Sequence, residues 1–223
     1  MPSNKVIAAL VGLIGLTLVI FGVWPGIDLA TSAYFHDANG FPVRQNPVIE
    51  FLRNSVWNAT LVMPLIALML LVLASWRKTS GWFWGYVLAV FLIGPGLVVN
   101  LGFKSHWGRA RPSNISEFGG TAQFSPAWQI SDQCAKNCSF VSGEGAGATA
   151  LTITLLVILY RFRHRLSPAL YRAGQAASVL MLAFVGWQRV AAGGHFLSDV
   201  LLSMLVVSLI AAILARLLLN RAA

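Results

Sequence analysis

The sequence predicts an all-α membrane protein, a polytopic bundle of six transmembrane helices with short interfacial helices in its outer loops. Composition is the first reason: 57% of the 223 residues are hydrophobic and only 10% are charged, far outside the averages of soluble domains. The second is a set of apolar runs about as long as a bilayer crossing. They lie near residues 6–24, 59–75, 82–103, 141–160, 173–192 and 199–219.

The first run follows Lys5 and has two interpretations. A cleaved signal peptide is the simpler one. However, the run is about as long as a bilayer crossing and no small-x-small cleavage site follows it, so we expect a retained first helix. With no visible repeat or low-complexity tract, residues 1–223 are expected to form a single membrane domain.

Residues 25–58 form the first outer segment, which is broken by Pro25, Gly40 and Pro42. Residues 48–57 have the spacing of a short amphipathic helix that lies at the interface. We expect this segment to cover the bundle, and a lid or lipid guide is the alternative. His36 and Asp37 could be taken for a catalytic pair, but in a polar turn they are expected to be solvated.

Charge alternates between the connecting segments, which predicts the topology. All seven acidic residues fall on one side of the predicted bundle, and the other side carries nine basic residues and no acid. The positive-inside rule assigns the basic side, with both termini, to the cytoplasm. The nine are Lys5, Arg77, Lys78, Arg161, Arg163, Arg165, Arg172, Arg216 and Arg221.

The net charge of +9 would suggest nucleic acid as a partner of a soluble protein, but here no Lys/Arg-rich tail supports that partner. No obligate protein partner is evident either. The partner that the composition implies is the lipid bilayer.

Cys134 and Cys138 are the only cysteines and lie in the second outer loop. On an oxidising face they are expected to form a short-range disulfide. A metal site is the competing interpretation, but two thiols with no nearby histidine make a poor ligand set. The disulfide implies an oxidising outer side, which is the periplasm if the protein is bacterial. We expect a bacterial inner membrane protein.

Three cations follow the third apolar run within eight residues, namely Lys104, Arg109 and Arg111. Snorkelling to lipid headgroups explains one cation at a helix end but not three. If the helix continues to Pro112, Lys104 and Arg111 lie two turns apart on one face. Donors that converge in this way suit a phosphate dianion, which arginine binds through a fork and lysine as a point charge.

Two further motifs stand at the ends of later apolar runs. Ser142-Gly143 precedes the fourth run, where the free N–H groups of a helix start attract an anion, although an ordinary helix cap is the alternative. Arg189, His195 and Asp199 lead into the sixth run. On a helix, Asp199 would accept a proton from one ring nitrogen of His195 and leave the other nitrogen as a nucleophile.

These three motifs resemble the three-part signature of the type 2 phosphatidic acid phosphatase family. They are Lys104 with six residues to Arg111-Pro112, then Ser142-Gly143, and then Arg189 with five residues to His195 and three more to Asp199. This family also includes glucose-6-phosphatase and vanadium haloperoxidases. The resemblance covers residues 82–215 and implies a six-helix bundle, no cofactor or metal, and hydrolysis through a phosphohistidine. It implies that His195 attacks phosphorus and Asp199 orients it. The implied phosphate-binding residues are Lys104, Arg111, Ser142, Gly143 and Arg189.

The chain departs from the family pattern at Glu144, where a histidine is expected to protonate the leaving oxygen. Three interpretations stay open. Glu144 is itself the acid, His106 is the acid, or the leaving group needs little help because it is an anomeric sugar phosphate or a pyrophosphate. Gln188 in place of serine is a milder departure.

The segments around the motifs resemble the lipid A phosphatase branch of the family more than its phosphatidylglycerophosphate branch. We therefore expect a periplasm-facing lipid phosphatase that acts on a membrane lipid with an exposed phosphate, with lipid A as the first substrate to test. Undecaprenyl diphosphate or phosphatidylglycerophosphate phosphatases and a lipid phosphotransferase are the alternatives. A transporter would need polar residues deep in several helices, whereas residues 61–73 and 151–160 offer only threonines and one proline.

Overall fold

The computed structural model describes residues 2–219, and Arg221 of the basic side lies outside them. Six long helices are apolar enough to cross a membrane, and this part of the chain contains no β-strand. The predicted six-helix, all-α fold is confirmed. The helices are α1 Asn4–Val23, α2 Gly26–Tyr34, α3 Pro47–Trp76, α4 Trp82–His106, α5 Gly143–Phe162, α6 Pro168–Ala191 and α7 Leu197–Leu214, of which only α2 is short.

Helix α5 lies at the centre of the bundle, against α3, α6 and α7. Its first half is a run of glycine, alanine and threonine that is almost wholly buried. A Cβ at Gly147 would lie 3.2 Å from Oγ1 of Thr60 in α3. Small residues let membrane helices approach closely, so this composition brings the outer ends of the surrounding helices together.

Helix α3 differs from the prediction for residues 48–57. The structure has no separate interfacial helix there, because the segment is the beginning of the continuous 30-residue helix Pro47–Trp76. Pro47 occupies the first turn, and the Asn46 side chain accepts hydrogen bonds from the N–H groups of Val48 and Ile49, which is a strong helix start. At 1.5 Å per residue the helix is about 45 Å long, longer than the ~30 Å hydrocarbon core.

Helix α4 widens into π-helical turns over Leu92–Phe103. Pro95 lies within this stretch and has no N–H to donate, and the Asn100 side chain donates to its carbonyl oxygen at 2.8 Å. The helix ends at His106, and the chain then turns at Gly108, which has a φ of +65°. A Cβ on Gly108 would lie 1.7 Å from the oxygen of Ser131, so only glycine fits this turn.

Arg111 therefore lies beyond the helix, in extended backbone, and does not share a helical face with Lys104 as the sequence spacing suggested. The rest of the second outer loop is irregular, with short 3₁₀ turns at Pro112–Asn114 and Ser116–Phe118. The expected disulfide joins Cys134 to Cys138, with 5.6 Å between their Cα atoms.

Candidate active site

The three predicted motifs meet at one end of the bundle. The first begins in the last turn of α4 and continues beyond it, the second begins α5, and the third joins the end of α6 to the start of α7. Burial lowers the pKa of His195 well below its usual value, and the positive charges of Arg111, Lys104 and Arg189 lower it further. A lowered pKa favours the neutral form of the ring at pH 7.

His195 is held in one orientation at the bottom of the site, with 1% of its surface exposed. Its Nδ1 lies 2.7 Å from the carbonyl oxygen of Ser139. A carbonyl only accepts, so Nδ1 carries the proton and donates it, and Nε2 keeps its lone pair. Nε2 makes no hydrogen bond to residues 2–219, so its lone pair is free.

Asp199 does not accept from the His195 ring, in contrast to the expectation. Helix α7 begins at Leu197, so His195 precedes the helix and the four-residue spacing is not a helical one. The Asp199 carboxylate instead accepts from the Ser139 hydroxyl at 2.5 Å and from the Phe196 N–H at 3.1 Å. Asp199 thus acts on the imidazole through Ser139, whose hydroxyl it binds and whose carbonyl holds the ring.

Arg109 was expected to join the phosphate-binding cations, and the structure corrects this. Its side chain is wholly buried, with Nη2 2.9 Å from Asp28 and Nη1 2.6 Å from Asp199. Its Nε donates to the Ser125 carbonyl, and the guanidinium lies 4.2 Å from the centroid of the Phe196 ring. Every side of this cation is occupied, so it is part of the scaffold.

Asp28 extends this arrangement into the first outer segment. It accepts from the Ser198 N–H at 2.9 Å and from the Ser198 hydroxyl at 2.5 Å, as well as from Arg109. The bonds tie the short helix α2 to the start of α7, directly behind His195. We call Asp28, Arg109, Ser139, Ser198 and Asp199 the buried charge network.

Lys104 and Arg111 converge on Asn137, a residue that the sequence motifs missed. The Lys104 ammonium donates to the Asn137 side-chain oxygen at 2.9 Å. Nε and Nη2 of Arg111 donate to the Asn137 carbonyl oxygen at 3.1 and 2.9 Å. Asn137 has a φ of +53°, which asparagine tolerates better than most residues, and it lies inside the ring closed by the disulfide.

Burial and the nearby charge of Arg189 lower the pKa of the Arg111 guanidinium. The Arg189 side chain itself lies against the backbone beside His195, since a Cβ at Gly194 would meet its Nη2 at 3.0 Å. These cations crowd one another, which a bound anion would relieve.

A single carboxylate oxygen of Glu144 accepts hydrogen bonds from two guanidinium groups. Its Oε1 lies 2.5 Å from Nη1 of Arg189 and 3.0 Å from Nη1 of Arg53. Arg53 also pairs with Glu50 at 2.8 Å, and Glu50 accepts from Gln188 at 2.6 Å. The expectation that the first outer segment is only a cover or lid was therefore incomplete, since Glu50 and Arg53 reach the site. We call Lys104, Arg53, Arg111 and Arg189 the open cation cluster.

The remaining predicted residues take different positions. Ser142 is the cap of α5, where its hydroxyl accepts from the Gly145 N–H at 3.1 Å. A Cβ at Gly143 would lie 3.4 Å from the Lys104 ammonium nitrogen, so this helix start does face the cations. His106 is exposed, and its Nδ1 contacts the carbonyl oxygen of Gly102 on its own helix at 2.8 Å.

Fold and site together define an integral membrane protein with a cation-rich, histidine-containing anion site at one end of its bundle. A family model described as the PAP2 superfamily matches residues 82–223. The chain belongs to the PAP2 superfamily.

Similar proteins agree with this assignment. A lipid A 4′-phosphatase of Rhizobium leguminosarum is 32% identical over 207 residues, which cover 84% of this chain and 85% of that protein. A lipid A 4′-phosphatase of Francisella tularensis subsp. novicida (strain U112) is 40% identical over 116 residues, covering 52% of this chain and 49% of that one. Family and relatives support a membrane lipid phosphatase.

A crystal structure of a transmembrane PAP2 type phosphatidylglycerolphosphate phosphatase from Bacillus subtilis shares the fold. The TM-score is 0.56 at 21% sequence identity, and the match covers 93% of this chain and 94% of that one. This likeness extends over nearly all of the helical bundle.

Proposed function

We propose that this protein hydrolyses a phosphomonoester of lipid A at the periplasmic face of a bacterial inner membrane. The observation that carries the proposal is the buried imidazole of His195, whose Nδ1 is held by the Ser139 carbonyl and whose Nε2 is available. Lys104, Arg111 and Arg189 lie at the same end of the bundle. The relatives named lipid A 4′-phosphatases favour lipid A as substrate. Phosphatidylglycerophosphate and undecaprenyl diphosphate are the other substrates to compare.

In the proposed reaction, Nε2 of His195 attacks phosphorus and the bond between phosphorus and the lipid oxygen breaks. The leaving oxygen takes up a proton and departs as the lipid alcohol. Water then attacks the phosphorus of the phosphohistidine, which releases inorganic phosphate and restores the imidazole. Lys104, Arg111 and Arg189 bind the non-bridging oxygens, whose charge grows in the transition state.

The lysine and arginines supply the positive charge that a metal ion supplies in other phosphatases. We therefore propose that the reaction needs no metal. Phosphate release is expected to continue in EDTA and to be inhibited by vanadate. Loss of activity in EDTA that is restored by a divalent ion would contradict this part of the proposal.

The remaining question in this reaction is which residue donates the proton to the leaving oxygen. A 4′-phosphate is attached to a non-anomeric carbon, so its leaving group benefits from an acid more than an anomeric one does. We propose that Glu144 positions Arg189 and Arg53, because both guanidinium groups already donate to its Oε1. Glu144→Gln is then expected to lower turnover equally on alkyl and anomeric phosphates. A larger loss on alkyl phosphates would instead identify Glu144 as the acid and leave His106 out of that role.

The proposed orientation has the site in the periplasm and both termini in the cytoplasm. It is supported by the nine basic residues of the opposite connecting segments. Alkaline phosphatase fused after residue 120 is expected to be active, because that enzyme folds only in an oxidising compartment, and a fusion after residue 164 is expected to be inactive. The reverse pattern would contradict the orientation.

One assay tests the activity and the substrate together. Purified wild-type protein and His195→Ala are compared for phosphate release from lipid A, phosphatidylglycerophosphate, phosphatidate and undecaprenyl diphosphate. We expect the highest kcat/KM on lipid A and no turnover by His195→Ala on any substrate. Undiminished release by His195→Ala would overturn the mechanism. Transfer of labelled phosphate from undecaprenyl diphosphate to a second lipid would identify a phosphotransferase.

A further inference from the structure

A second cavity lies at the end of the bundle opposite His195. It has a volume of about 1030 Å³ and is lined by residues from α1, α4, α5 and α7. Tyr86 in the first half of α4 and Val157 in the second half of α5 line it, whereas the active-site motifs lie at the end of α4 and at the start of α5. It is therefore remote from the candidate active site.

The cavity exists because one face of α7 carries small side chains. Ser208, Ala211 and Ala212 of α7 line it, as does Ala215 in the helical turn that directly follows α7. Their spacings of three, one and three residues keep them on one face. Val6 and Leu10 of α1 form an apolar wall across from them. A hollow of this size and character, within the membrane-spanning part of a bundle, suits a hydrocarbon chain.

The mouth of the cavity is basic and has no internal counter-charge. Arg161 and Arg163 line it, and neither forms an ion pair with any acidic residue in 2–219. Both guanidinium groups are arranged over aromatic rings, with Arg163 4.1 Å from the Tyr160 ring and Arg161 5.8 Å from the Phe83 ring. The connecting segment 163–172 contains no carboxylate either.

Tyr86 provides a second, independent observation. The residue lines the cavity and is only 3% exposed. Its hydroxyl makes no hydrogen bond within residues 2–219 and is not among the fully buried polar atoms that lack a partner, so it keeps accessible surface. A polar atom of a ligand in the cavity can therefore bond to it.

We propose that this cavity is a binding site for an anionic phospholipid of the leaflet opposite the active site. Its acyl chain fills the hollow against the small face of α7, and its phosphate lies between Arg161 and Arg163. Basic pockets between transmembrane helices are suited to such headgroups, because a guanidinium group binds a phosphate through two parallel hydrogen bonds. The site is separate from the proposed phosphatase reaction and requires none of its residues.

The test compares phosphatidylglycerol with phosphatidylcholine of the same acyl chains, added to the full-length protein in detergent and followed by native mass spectrometry and by thermal unfolding. The variant Arg161→Gln/Arg163→Gln is matched by Arg165→Gln/Arg172→Gln, which removes the same charge from the same region without touching the cavity. We expect wild type and the matched control to prefer phosphatidylglycerol. Binding to Arg161→Gln/Arg163→Gln should be roughly thirtyfold weaker.

Equal losses in the two double variants would mean that phosphatidylglycerol is attracted only by the general positive charge of this face, and would overturn the proposal. Arg111→Gln separates this site from the active site, because it is expected to keep the full preference for phosphatidylglycerol. If Arg111→Gln abolishes the preference, the lipid is bound at the active site and the cavity is not its site. Tyr86→Phe, which keeps the shape, is expected to weaken binding severalfold.

Discussion

Two groups of charges lie side by side at the end of the bundle that contains His195, and they are built in opposite ways. In the buried charge network, one arginine is enclosed by two carboxylates, two serines and an aromatic ring. In the open cation cluster, three arginines and a lysine share the carboxylates Glu50 and Glu144 and the oxygens of Asn137.

This contrast separates charges that hold the backbone in place from charges that are able to bind a ligand. A buried cation with every donor satisfied has no capacity left for an anion, and its role is to fix the backbone around it. A cluster with more positive than negative charge, next to an available imidazole nitrogen, is stabilised when a dianion enters. Arg109 and Arg111 are two residues apart in sequence and fall on opposite sides of this division.

The largest expected effect comes from breaking the buried charge network. Arg109→Gln leaves Asp28 and Asp199 buried without their cation, so we expect a loss of about 3–5 kcal/mol in the free energy of unfolding. Thermal and denaturant unfolding in detergent measure it. Arg111→Gln is the matched control, with a change below about 1 kcal/mol. If the two variants unfold alike, the division between the groups is wrong.

The second largest effect is expected on activity, when a residue of the open cation cluster is replaced. In the proposed reaction, Arg111→Gln removes donors to the transferred phosphoryl group, and we expect kcat/KM to fall by about 10²–10³ while the fold is kept. Arg111→Lys should recover only part of it, since lysine keeps the charge but lacks the guanidinium fork. A variant that binds and turns over substrate normally would remove Arg111 from the site.

A smaller effect is expected in the pH dependence of kcat/KM, compared between the wild type and Arg111→Gln. Because the pKa of His195 is lowered in the folded protein, its nucleophilic neutral form persists below the usual histidine pKa of about 6.5. The acid limb of kcat/KM is expected below that value. In Arg111→Gln one repelling charge is gone, so the pKa of His195 rises and the limb moves to higher pH. Comparing both proteins on one substrate cancels the substrate's own ionisation, and a limb that stays in place would contradict the electrostatic coupling.

The same shift has a consequence for stability. The unfolded chain takes up a proton on His195 as the pH falls through about 6.5, while the folded chain resists it until lower pH. This contribution to the unfolding free energy is therefore complete above that pH and is lost progressively below it. His195→Gln should reduce the loss of stability between neutral and acid pH.

The smallest expected effect concerns the ring that carries Asn137. Replacing both Cys134 and Cys138 with serine loosens the loop that holds Lys104 and Arg111, so we expect kcat/KM to fall roughly three- to tenfold, the range of one or two ordinary hydrogen bonds. A mass shift on reduction and alkylation measures ring closure in the wild type. Asn137→Gly, which accepts the positive φ but lacks the side-chain oxygen, should give a loss of similar size.

The helices and the three motifs were accessible from the sequence because their signals are local. A run of about 20 apolar residues crosses a bilayer whatever its neighbours are, and ionisable residues at one depth of a membrane protein have few roles other than function. The structure differs from the sequence predictions where contacts between distant segments determine the conformation. Residues 48–57 have an amphipathic pattern both as an interfacial helix and as the outer turns of α3, and contacts of Glu50 and Arg53 with α5 and α6 select the second.

Composition and spacing thus sufficed for a six-helix membrane protein whose Lys104, Arg111, Arg189 and His195 gather at one end. Three-dimensional packing was needed to turn Arg109 inward onto Asp28, 81 residues away, to hold His195 through the Ser139 carbonyl instead of Asp199, and to bring Arg53 to Glu144, 91 residues away. The physical reason is that a side chain's role in a low-dielectric interior depends on which partners replace its lost water, and those partners come from distant parts of the chain.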